Sequence, residues 1–573
     1  MAEAGLRVLL LERGGEPPES SRSVDTFGES IRTDCGDTIV ATSGHVMITG
    51  NCLGGASTFN GGAWVEETPD WIRTTVLETG VASFFDTTAI ADAYTWVRTR
   101  MATPSSERTG TFMQTFAGDL ANAFAARTEF AFAPSGLSGQ PAVEAEGIFR
   151  TYSLFNSNGE RSSADQMLDR DLPNLDIIKG AEVDSITYQG DRLGTPWTVR
   201  EPATDPPTAR CVRLKSGEFH CVKVGGRIYA SGGAMHTPVL LMNSGIGPRG
   251  NRVDNPQVGQ NLSDKFAAKI TANLKKGMDF GGGGSFGNIA ATQQLSDRVV
   301  IYEQSTVDLE DSLWDLGAFE RTIFPLPLRG SFLADVVLAI GDTCNQQVLN
   351  DSNLFGIRNP LCGGQFALDE LNCDQDIFGL SVYTTPPRPV GSVSRTLNGR
   401  PRVDIDFFET DADYEALGIM FRTSLDILDS LGVAQEPCLG DMCEATCPDL
   451  INESTGIVRM AHSILYPFDS FDFREFPSSR FLDPAIEYVL NTTPDNVEAG
   501  KQLQFLVNSG QHYAGTAGMG AVVDETFRVM GVQGLYVADS SVVPKTSRGN
   551  VMATVMMMSR LAGVSGVAEM TGV

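Results

Sequence analysis

An acidic residue follows a short apolar run near the start of the chain. Glu12 comes directly after "LRVLLL", and this run predicts a buried strand of a parallel sheet. A carboxylate at the carboxyl end of such a strand is suited to accept hydrogen bonds from the hydroxyl groups of a ribose. The same residue is also compatible with a solvated side chain at a strand end. The chemistry that this stretch could perform is nucleotide binding.

A glycine-rich stretch, "TGNCLGGASTFNGGAW" at 49–64, could bring the backbone close to a bound group. Glycine has no Cβ, so Gly54, Gly55, Gly61 and Gly62 permit both tight turns and a close approach to a ligand. Taken alone, the stretch leaves these two alternatives open. Further along, "GGRIYASGGAMHTPVLLMNSGIGP" predicts a strand, a glycine turn and an apolar helix.

The elements that must position these residues are spread along the chain. Strand-like apolar runs occur at the start, in the segment just quoted and in "GLYVADSSVVP", where the run ends at Asp539. The sequence after "ERSSADQMLDRDL" predicts a helix and then a strand at 174–189. The middle, from about 266 to 500, contains alternating runs such as "FGLSVYTT" and "RPRVDIDFFET", and a predicted helix at 411–431. These patterns predict an α/β nucleotide-binding domain built from distant pieces, with a second domain inserted.

Composition excludes several classes of partner. A net charge of −28 over 573 residues argues against a nucleic-acid-binding protein, because phosphate binding needs clustered Lys and Arg. No apolar run reaches the roughly 18 residues of a membrane helix. The apolar tail "VMATVMMMSRLAG" is interrupted by Ser559 and Arg560. The sequence therefore predicts neither a nucleic-acid partner nor a transmembrane segment.

The cysteines do not indicate one compartment. Ten are present, and three of them cluster at Cys438, Cys443 and Cys447 with a spacing that matches no common zinc site. Disulfides and thiols are both compatible with the sequence. Four Asn-x-Ser/Thr tripeptides are compatible with secretion: Asn261, Asn350, Asn452 and Asn491. Localisation is left open, with these features pointing towards the secretory pathway.

The order of the motifs is more specific than any one of them. The loop "GNCLGGASTFNGG", the segment "YASGGAMHTPVLLMNSGIGP", the phrase "VGQNLSDK" and the C-terminal "HYAGTAGMGAVVD", "VMGVQGLYVADSSVVP" and "GN" follow one another at sensible spacing. Together they resemble the glucose–methanol–choline (GMC) family of flavin oxidoreductases over nearly the whole chain. The resemblance implies FAD as cofactor and a two-domain α/β architecture.

The resemblance also implies domain boundaries. A Rossmann-like FAD-binding domain would be built from the discontinuous segments 1–75, 165–265 and 505–573. An α+β substrate-binding domain with an antiparallel sheet would comprise 76–164 and 266–504.

Site residues follow from the resemblance, position by position. Glu12 would bind the ribose of the adenosine, and the backbone of Val183 would meet the adenine. The loop residues would line the pyrophosphate and the flavin, Asp539 would lie near the ribityl–pyrophosphate region, and two residues at the start of the last helix would face the flavin pyrimidine. The full cofactor set is Glu12, Gly54, Gly55, Ser57, Asn60, Val183, Asp539, Asn550 and Met552.

Two residues are implied to be catalytic. His512 occupies the first position of "HYAGTAGM", where the family carries its active-site histidine. A neutral imidazole there can take the hydroxyl proton of an alcohol while hydride moves to flavin N5. Asn550 occupies the second active-site position; it can hydrogen-bond the substrate oxygen but cannot act as a base. Asn550 is also compatible with a helix N-cap, and the two roles do not exclude each other.

The sequence departs from the family pattern at several positions. Phe59 stands where some relatives carry the histidine that holds FAD covalently, so the flavin is expected to be non-covalent. Asn51 replaces the usual basic residue of the first signature. The Gly-x-Gly-x-x-Gly turn and the strand before it are missing, so the sequence is interpreted as N-terminally truncated. A domain without that strand is expected not to fold stably, because the strand contributes a large apolar contact area.

The expected reaction is oxidation of a small-molecule alcohol to an aldehyde or ketone by an oxidase or a dehydrogenase. The substrate and the electron acceptor, oxygen or another compound, are not specified by the sequence. Two alternatives stay open. One is a non-redox or light-driven activity found in some relatives, as in hydroxynitrile lyases and fatty acid photodecarboxylases; the other is a flavin-free remnant that acts as a binding protein.

Overall fold

The computed structural model describes residues 1–23, 35–78, 86–104, 120–127, 147–168, 170–191, 206–273, 285–295, 298–307, 377–431 and 484–572. The α-helices within these ranges are α1 (Pro69–Glu78), α2 (Thr87–Met101), α3 (Gly233–Asn243), α4 (Asp411–Leu431), α5 (Pro484–Thr492), α6 (Asn496–Leu503) and α7 (Val551–Thr571).

The strands are numbered in chain order. Those of the first half are β1 (Val8–Leu11), β2 (Gly36–Val40), β3 (Val46–Gly50), β4 (Ala63–Trp64), β5 (Thr103–Pro104), β6 (Gly147–Arg150), β7 (Tyr152–Ser153), β8 (Leu175–Ile178), β9 (Val183–Tyr188), β10 (Ala209–Leu214), β11 (Phe219–Cys221), β12 (Ile228–Ala230), β13 (Ile246–Gly247), β14 (Val253–Asp254) and β15 (Phe266–Asn273). The remaining strands are β16 (Ser285–Leu295), β17 (Arg298–Val307), β18 (Ile377–Thr385), β19 (Gly391–Arg395), β20 (Pro401–Ile405), β21 (Asn508–Ser509) and β22 (Leu535–Val537).

The three apolar runs with polar or glycine-rich exits form parallel strands, as the sequence predicts. The predicted burial of β1 is wrong: none of its residues is buried and Leu9 is 42% exposed, because within the described residues β1 pairs with β8 alone. β1 pairs with β8 in parallel, and β12 pairs with β22 in parallel. Between these two ladders no pairing occurs within the described residues. The mixed α/β architecture is thereby confirmed, and most of the remaining sheets are antiparallel.

The stretch 174–189 differs from the single predicted strand. It contains β8 and β9, separated by a turn in which Gly180 adopts a φ of 69°. A positive φ suits glycine, so the chain reverses there, and β9 joins the antiparallel β11-β10-β9 sheet. The helix predicted before this stretch is a single 3₁₀ turn at Ala164–Met167, which begins with a capping box between Ser163 and Gln166.

The second large unit is a six-stranded antiparallel sheet of order β21-β15-β18-β17-β16-β6. Helix α4, whose bounds agree with the predicted 411–431, packs on it through an apolar face that includes Leu417, Phe421 and Leu428, all fully buried. Each such side chain contributes roughly 1.5–3 kcal/mol by leaving water. This core holds the strands that form one wall of the site described below.

Helices α4 and α6 approach each other very closely, and two glycines explain how. A Cβ at Gly418 would lie 2.2 Å from the Asn496 carbonyl oxygen, and one at Gly500 would lie 2.0 Å from the Tyr414 carbonyl oxygen. No side chain fits at either position without separating the helices.

The C-terminal helix α7 is longer than the apolar run predicted in the sequence. It continues through Ser559, which bonds the Ala538 carbonyl oxygen at 3.3 Å, and Arg560, whose guanidinium lies 4.1 Å from the centre of the Trp96 ring. With 21 residues and a mean hydropathy of 1.4 in its most apolar window, it is the one helix of the described ranges that meets the length and composition of a membrane span. Length and composition do not separate such a span from a core helix, and α7 packs against α2 through Ala553, Met557 and Leu561.

All four cysteines in the described ranges form disulfides, Cys35–Cys52 and Cys211–Cys221. The cluster Cys438, Cys443 and Cys447 lies outside the described residues, as do Asn350 and Asn452. Asn491 is exposed near the end of α5, whereas Asn261 is only partly exposed. The proposed domain boundaries stay a prediction.

Candidate active site

One large cavity of about 2060 Å³ brings the predicted site residues together. Its walls come from β1, the glycine-rich loop after β3, the start of α3, strands β15, β17 and β18, and the start of α7. All the predicted residues line it: Glu12, Gly54, Gly55, Ser57, Asn60, Val183, His512, Asp539, Asn550 and Met552. Their common location is a structural observation, and their individual roles stay predictions.

The glycine-rich loop is shaped by its own backbone. Gly54 and Gly55 have φ values of 95° and 58°, which favour glycine. A Cβ on Gly55 would meet no atom within 4 Å, whereas one on Gly54 would lie 3.0 Å from a carboxylate oxygen of Asp165. The loop therefore turns sharply against Asp165 and leaves space beside Gly55.

A disulfide and a neighbouring turn hold the loop in place. Cys52, inside the loop, is bonded to Cys35 at the base of the β2–β3 hairpin. The Leu53 N–H donates to the Gly15 carbonyl oxygen at 2.9 Å, which joins the loop to the turn after β1. A Cβ on Gly14 would lie 1.8 Å from the Asn51 carbonyl oxygen, so the two segments are in direct backbone contact.

Arg161, which is almost fully buried, holds the glycine-rich loop through hydrogen bonds. Its guanidinium donates to the Ser57 carbonyl oxygen at 3.1 Å, to the Asn60 side-chain oxygen at 2.9 Å and to the Asn60 carbonyl oxygen. Burial lowers the pKa of Arg161 to about 9. The Asn60 amide also contacts the Met552 sulfur at 3.0 Å, which links the loop to α7. The loop is therefore held in position by its contacts with Arg161 and Met552.

The carboxylates of two predicted cofactor-binding residues accept hydrogen bonds from neighbouring groups of the protein. Glu12 accepts a hydrogen bond from the Gly14 N–H at 2.8 Å. Asp539 accepts from the Gly233 N–H at 2.9 Å, from the Thr237 hydroxyl at 2.5 Å, and from the N–H and hydroxyl of Ser541 at 2.8 and 2.5 Å. Asp539 therefore connects the end of β22 to the start of α3, where Gly233 leaves open space beside the cavity.

His512 is held by its main chain, while its ring remains available. The His512 N–H donates to Asp264 at 2.8 Å, and the Thr546 hydroxyl donates to the His512 carbonyl oxygen at 2.8 Å. Within the described part of the chain, the enclosed Nδ1 has no hydrogen-bond partner. Burial and, second to it, the charge of Lys265 lower the pKa of His512 well below its usual range. The imidazole is therefore neutral at neutral pH.

Lys265 and Asp264 are site residues that the sequence reasoning missed. The Lys265 ammonium, fully buried, donates to the Arg548 carbonyl oxygen at 2.8 Å and to the Gly549 carbonyl oxygen. Burial lowers the pKa of Lys265 to about 8 and raises that of Asp264 to about 6. The adjacent opposite charges directly before the apolar run of β15 were the available signal, because charged residues are rarely fully buried unless paired.

Asn550 stands at the N-cap position of α7 but makes no side-chain cap hydrogen bond. Asn550 and Glu303, a β17 residue that is 1% exposed, both line the cavity. Burial raises the pKa of Glu303 to about 7, against the opposing charge of Lys265. The sequence offered one signal for Glu303, a carboxylate directly after the apolar run "RVVIY".

The backbone before Asn550 is fixed from the other side by Glu67. The Arg548 guanidinium donates to Glu67 at 2.8 and 3.0 Å, and the Glu67 carboxylate also accepts from the Arg548 N–H. Glu67 is 1% exposed. A buried ion pair in this position fixes the turn that leads into α7 and thereby the place of Asn550.

Comparison with family models identifies the family of the chain. Two family models, both described as GMC oxidoreductase, match residues 29–267 and 387–559. The chain belongs to the GMC oxidoreductase family. Members of this family are flavoproteins that bind FAD.

The chain is similar along nearly its whole length to several GMC proteins. It is 22% identical to (R)-mandelonitrile lyase 4 of Prunus serotina, over 99% of this chain and 82% of the lyase. It is also 22% identical to sinalpyl alcohol oxidase Nec3 of Nesocodon mauritianus, over 99% of this chain and 85% of the oxidase. A variant of the formate oxidase of Aspergillus oryzae shares the fold with a TM-score of 0.58 at 15% identity, over 99% of this chain and 94% of that chain.

The residues of the cavity fit a flavin dinucleotide. Gly55 and Gly233 have positive φ values and open space where a side chain would stand, so the backbone there can approach a bound group. Helices α3 and α7 both begin at the cavity, and helix N-termini favour the negative charge of a pyrophosphate. The unpartnered His512 Nδ1 shows that ring hydrogen-bonding capacity is left over at the same cavity.

Proposed function

We propose that this protein oxidises a small-molecule alcohol to an aldehyde or ketone with bound FAD. The observation that carries the proposal is the state of His512. Its imidazole is neutral, lines the cavity and has a ring nitrogen without a partner among the described residues, while its main chain is held at both the N–H and the carbonyl oxygen. A base that is neutral and oriented at physiological pH is what removal of a hydroxyl proton requires.

The residues around His512 divide the work. His512 accepts the hydroxyl proton of the alcohol at an imidazole nitrogen. Asn550 binds the substrate oxygen through its amide, since it cannot itself take up a proton. Asp264, through the His512 N–H, and Lys265, through the carbonyl oxygens before Asn550, hold these two residues at the same end of the cavity. The flavin, when bound, supplies the acceptor for the hydride that leaves the alcohol carbon.

We propose further that the FAD is non-covalent. Phe59 lies buried in the cavity lining, and its phenyl ring has no nucleophilic atom that could bond to the flavin. The test is denaturation in acid or organic solvent. All flavin should be released from the polypeptide, and flavin that stays with the precipitated chain would contradict the assignment.

Anaerobic flavin reduction tests the proposed reaction. The purified protein should show flavin absorbance, and an alcohol from a panel of primary and secondary alcohols should bleach it without oxygen. Bleaching followed by recovery on admission of air would identify oxygen as an electron acceptor. A folded protein without bound flavin would contradict the proposal.

Cleavage of a cyanohydrin is a second candidate function, favoured by the full-length likeness to (R)-mandelonitrile lyase 4. In that case His512 would accept the hydroxyl proton of the cyanohydrin while Asn550 binds the oxygen, and the C–CN bond would break to give a carbonyl compound and, with the proton, hydrogen cyanide, without net oxidation. A flavin that stays oxidised with every alcohol, together with cyanide release from mandelonitrile, would select this candidate over the oxidation.

A further inference from the structure

Gln511, the residue before His512, has a backbone conformation that residues with a Cβ rarely adopt. Its φ is 61°, in the left-handed region. Four non-glycine residues of the described ranges have a positive φ, and Gln511 is the one among them that lines the cavity. A side chain is strained in this region, so the surrounding structure must hold Gln511 there.

The side-chain amide of Gln511 pairs with the backbone of β3. Its Oε1 accepts from the Ile48 N–H at 2.7 Å, and its Nε2 donates to the Val46 carbonyl oxygen at 3.0 Å. These are the two groups that one residue of a neighbouring parallel strand would bond, and an amide offers one acceptor and one donor to meet them. The Tyr513 hydroxyl donates to the same Oε1. The amide therefore binds the edge of β3 as a strand would.

The main chain of Gln511 is connected to the carboxylate that holds His512. The Gln511 N–H donates to the Ser509 hydroxyl oxygen at 3.0 Å, and the Ser509 hydroxyl donates to Asp264 at 2.6 Å. The other oxygen of Asp264 accepts from the His512 N–H at 2.8 Å. One buried carboxylate thus holds the chain on both sides of Gln511, and the turn at Gln511 sets the direction in which the chain enters His512.

The His512 ring also packs against an aromatic side chain. The ring of Tyr383, on β18, has its centre 5.3 Å from that of the imidazole, with an angle of 36° between the planes. A Cβ at Gly510 would lie 3.3 Å from Cδ1 of Tyr383, so the glycine leaves room for this ring. No hydrogen bond within the described ranges fixes the imidazole Nδ1. The direction of the imidazole therefore depends on the backbone that carries it and on its contact with Tyr383.

We propose that Gln511 is a positioning residue: its amide, paired with β3, holds the left-handed turn that directs the His512 imidazole into the cavity. This inference rests on the proposed function, in which His512 takes the hydroxyl proton. Because β3 leads directly into the glycine-rich loop, the same amide ties the place of His512 to that loop. Precise placement matters to a base, since a displacement of about 1 Å can lower a rate about 100-fold.

Gln511→Gly separates positioning from stability, because it removes the amide and the strain of the positive φ together. The midpoint of thermal unfolding should stay close to the wild-type value. The limiting rate of reduction per bound flavin, at saturating alcohol, should fall between about tenfold and about 100-fold. Gln511→Met keeps the bulk and the strain without the amide, and it should show the same loss of rate if Gln511→Gly does not fold.

Arg249→Gly is the matched control for Gln511→Gly. Arg249 also has a positive φ, of 57°, but it is exposed and lies outside the cavity lining. Its replacement by glycine relieves the same kind of strain and should leave the limiting rate unchanged. An equal loss of rate in Arg249→Gly would overturn the inference, as would a wild-type rate in both Gln511 variants.

A double-mutant cycle shows whether Gln511 acts through His512. In the His512→Ala background, Gln511→Gly should change the residual rate of flavin reduction by less than about twofold, because the base that it positions is already absent. A further loss as large as that in the wild-type background would overturn the inference, since Gln511 would then act independently of the imidazole.

Hydrogen exchange of the flavin-loaded protein tests the pairing without an alcohol. The amide hydrogens of Ile48 and His512 should exchange about tenfold faster in Gln511→Gly than in the wild type or in Arg249→Gly. Unchanged exchange at both amides would overturn the inference. Failure of every alcohol to reduce the flavin would contradict only the proposed function, because the exchange measurement requires no turnover.

Discussion

The two ends of the cavity use their polar side chains in opposite ways. At the end lined by the start of α3, Asp539 receives four hydrogen bonds from neighbouring protein groups. At the end lined by β17 and the start of α7, Glu303 and His512 each retain an atom without a partner in the described part of the chain. The hydrogen bonds at the first end hold the local backbone in position. The atoms without a partner at the second end can form hydrogen bonds with a molecule that enters the cavity.

The largest effect is expected from removal of the His512 imidazole at the second end. His512→Ala should lower the rate of flavin reduction by an alcohol between about 100-fold and about 10,000-fold, because proton removal loses its base. The flavin content should stay at the wild-type level, since the variant leaves the loop and Asp539 unchanged. Stopped-flow reduction under anaerobic conditions measures the rate.

His45→Gln is the matched control for that variant. Burial lowers the pKa of His45 to about 4, so it too is a buried neutral histidine, but it packs against Phe407 away from the cavity lining. Its rate of flavin reduction should be unchanged. An equal loss of rate in both variants would show that His512 acts through stability alone.

A smaller effect is expected at the first end. Asp539→Asn replaces an acceptor oxygen by an NH₂ group, so part of the set formed by Gly233, Thr237 and Ser541 loses its acceptor. The free energy of unfolding should fall by about 2 kcal/mol, with loss of flavin during purification. Thermal unfolding and the flavin-to-protein absorbance ratio measure these changes.

The rate of reduction per bound flavin separates the two ends of the cavity. It should stay near the wild-type value in Asp539→Asn. Asp411→Asn serves as control, because its ion pair with Lys501 is exposed and contributes little. A per-flavin rate that falls as far as in His512→Ala would remove the distinction between the two ends.

The smallest expected effect concerns pH. The Lys265 charge is one cause of the lowered pKa of His512, so Lys265→Met should raise that pKa towards its usual value. His512 would then become protonated at higher pH on acidification, and the acid limb of kcat/KM should move up by as much as about one pH unit. Lys501→Met, at the exposed pair with Asp411, should leave the limb in place. A limb that does not move in Lys265→Met would show that burial alone sets the pKa of His512.

Local sequence patterns were sufficient to predict the strands that precede Glu12 and Asp539 and the helix at 411–431. The apolar runs before Glu12 and Asp539 form strands, and the helix at 411–431 has the predicted bounds. A glycine turn was harder to place, because positive φ at Gly180 depends on how β9 pairs with a distant strand. The apolar pattern of 174–189 indicated one continuous strand, whereas the structure has two strands, β8 and β9, in this stretch.

The polar residues of the second end were harder to infer from the sequence. Lys265 directly precedes β15 and Glu303 lies on β17, two strands that are distant in sequence and flank β18 in one sheet. A charged residue beside an apolar run is usually solvated, so the sequence does not reveal that both residues are buried and that their charges act on each other. Likewise, the N-cap position of Asn550 was foreseeable from the sequence, but the lack of a cap hydrogen bond from its side chain was not.

The Cys35–Cys52 disulfide has a consequence for the energetics of cofactor capture. A covalent link at the base of the hairpin, together with the Leu53–Gly15 hydrogen bond, limits the conformations that the glycine-rich loop can sample before anything binds. A loop that is already ordered loses less conformational entropy when it closes on a ligand. For the FAD proposed above, we therefore expect part of the affinity to come from preorganisation of the loop by the oxidised cysteine pair.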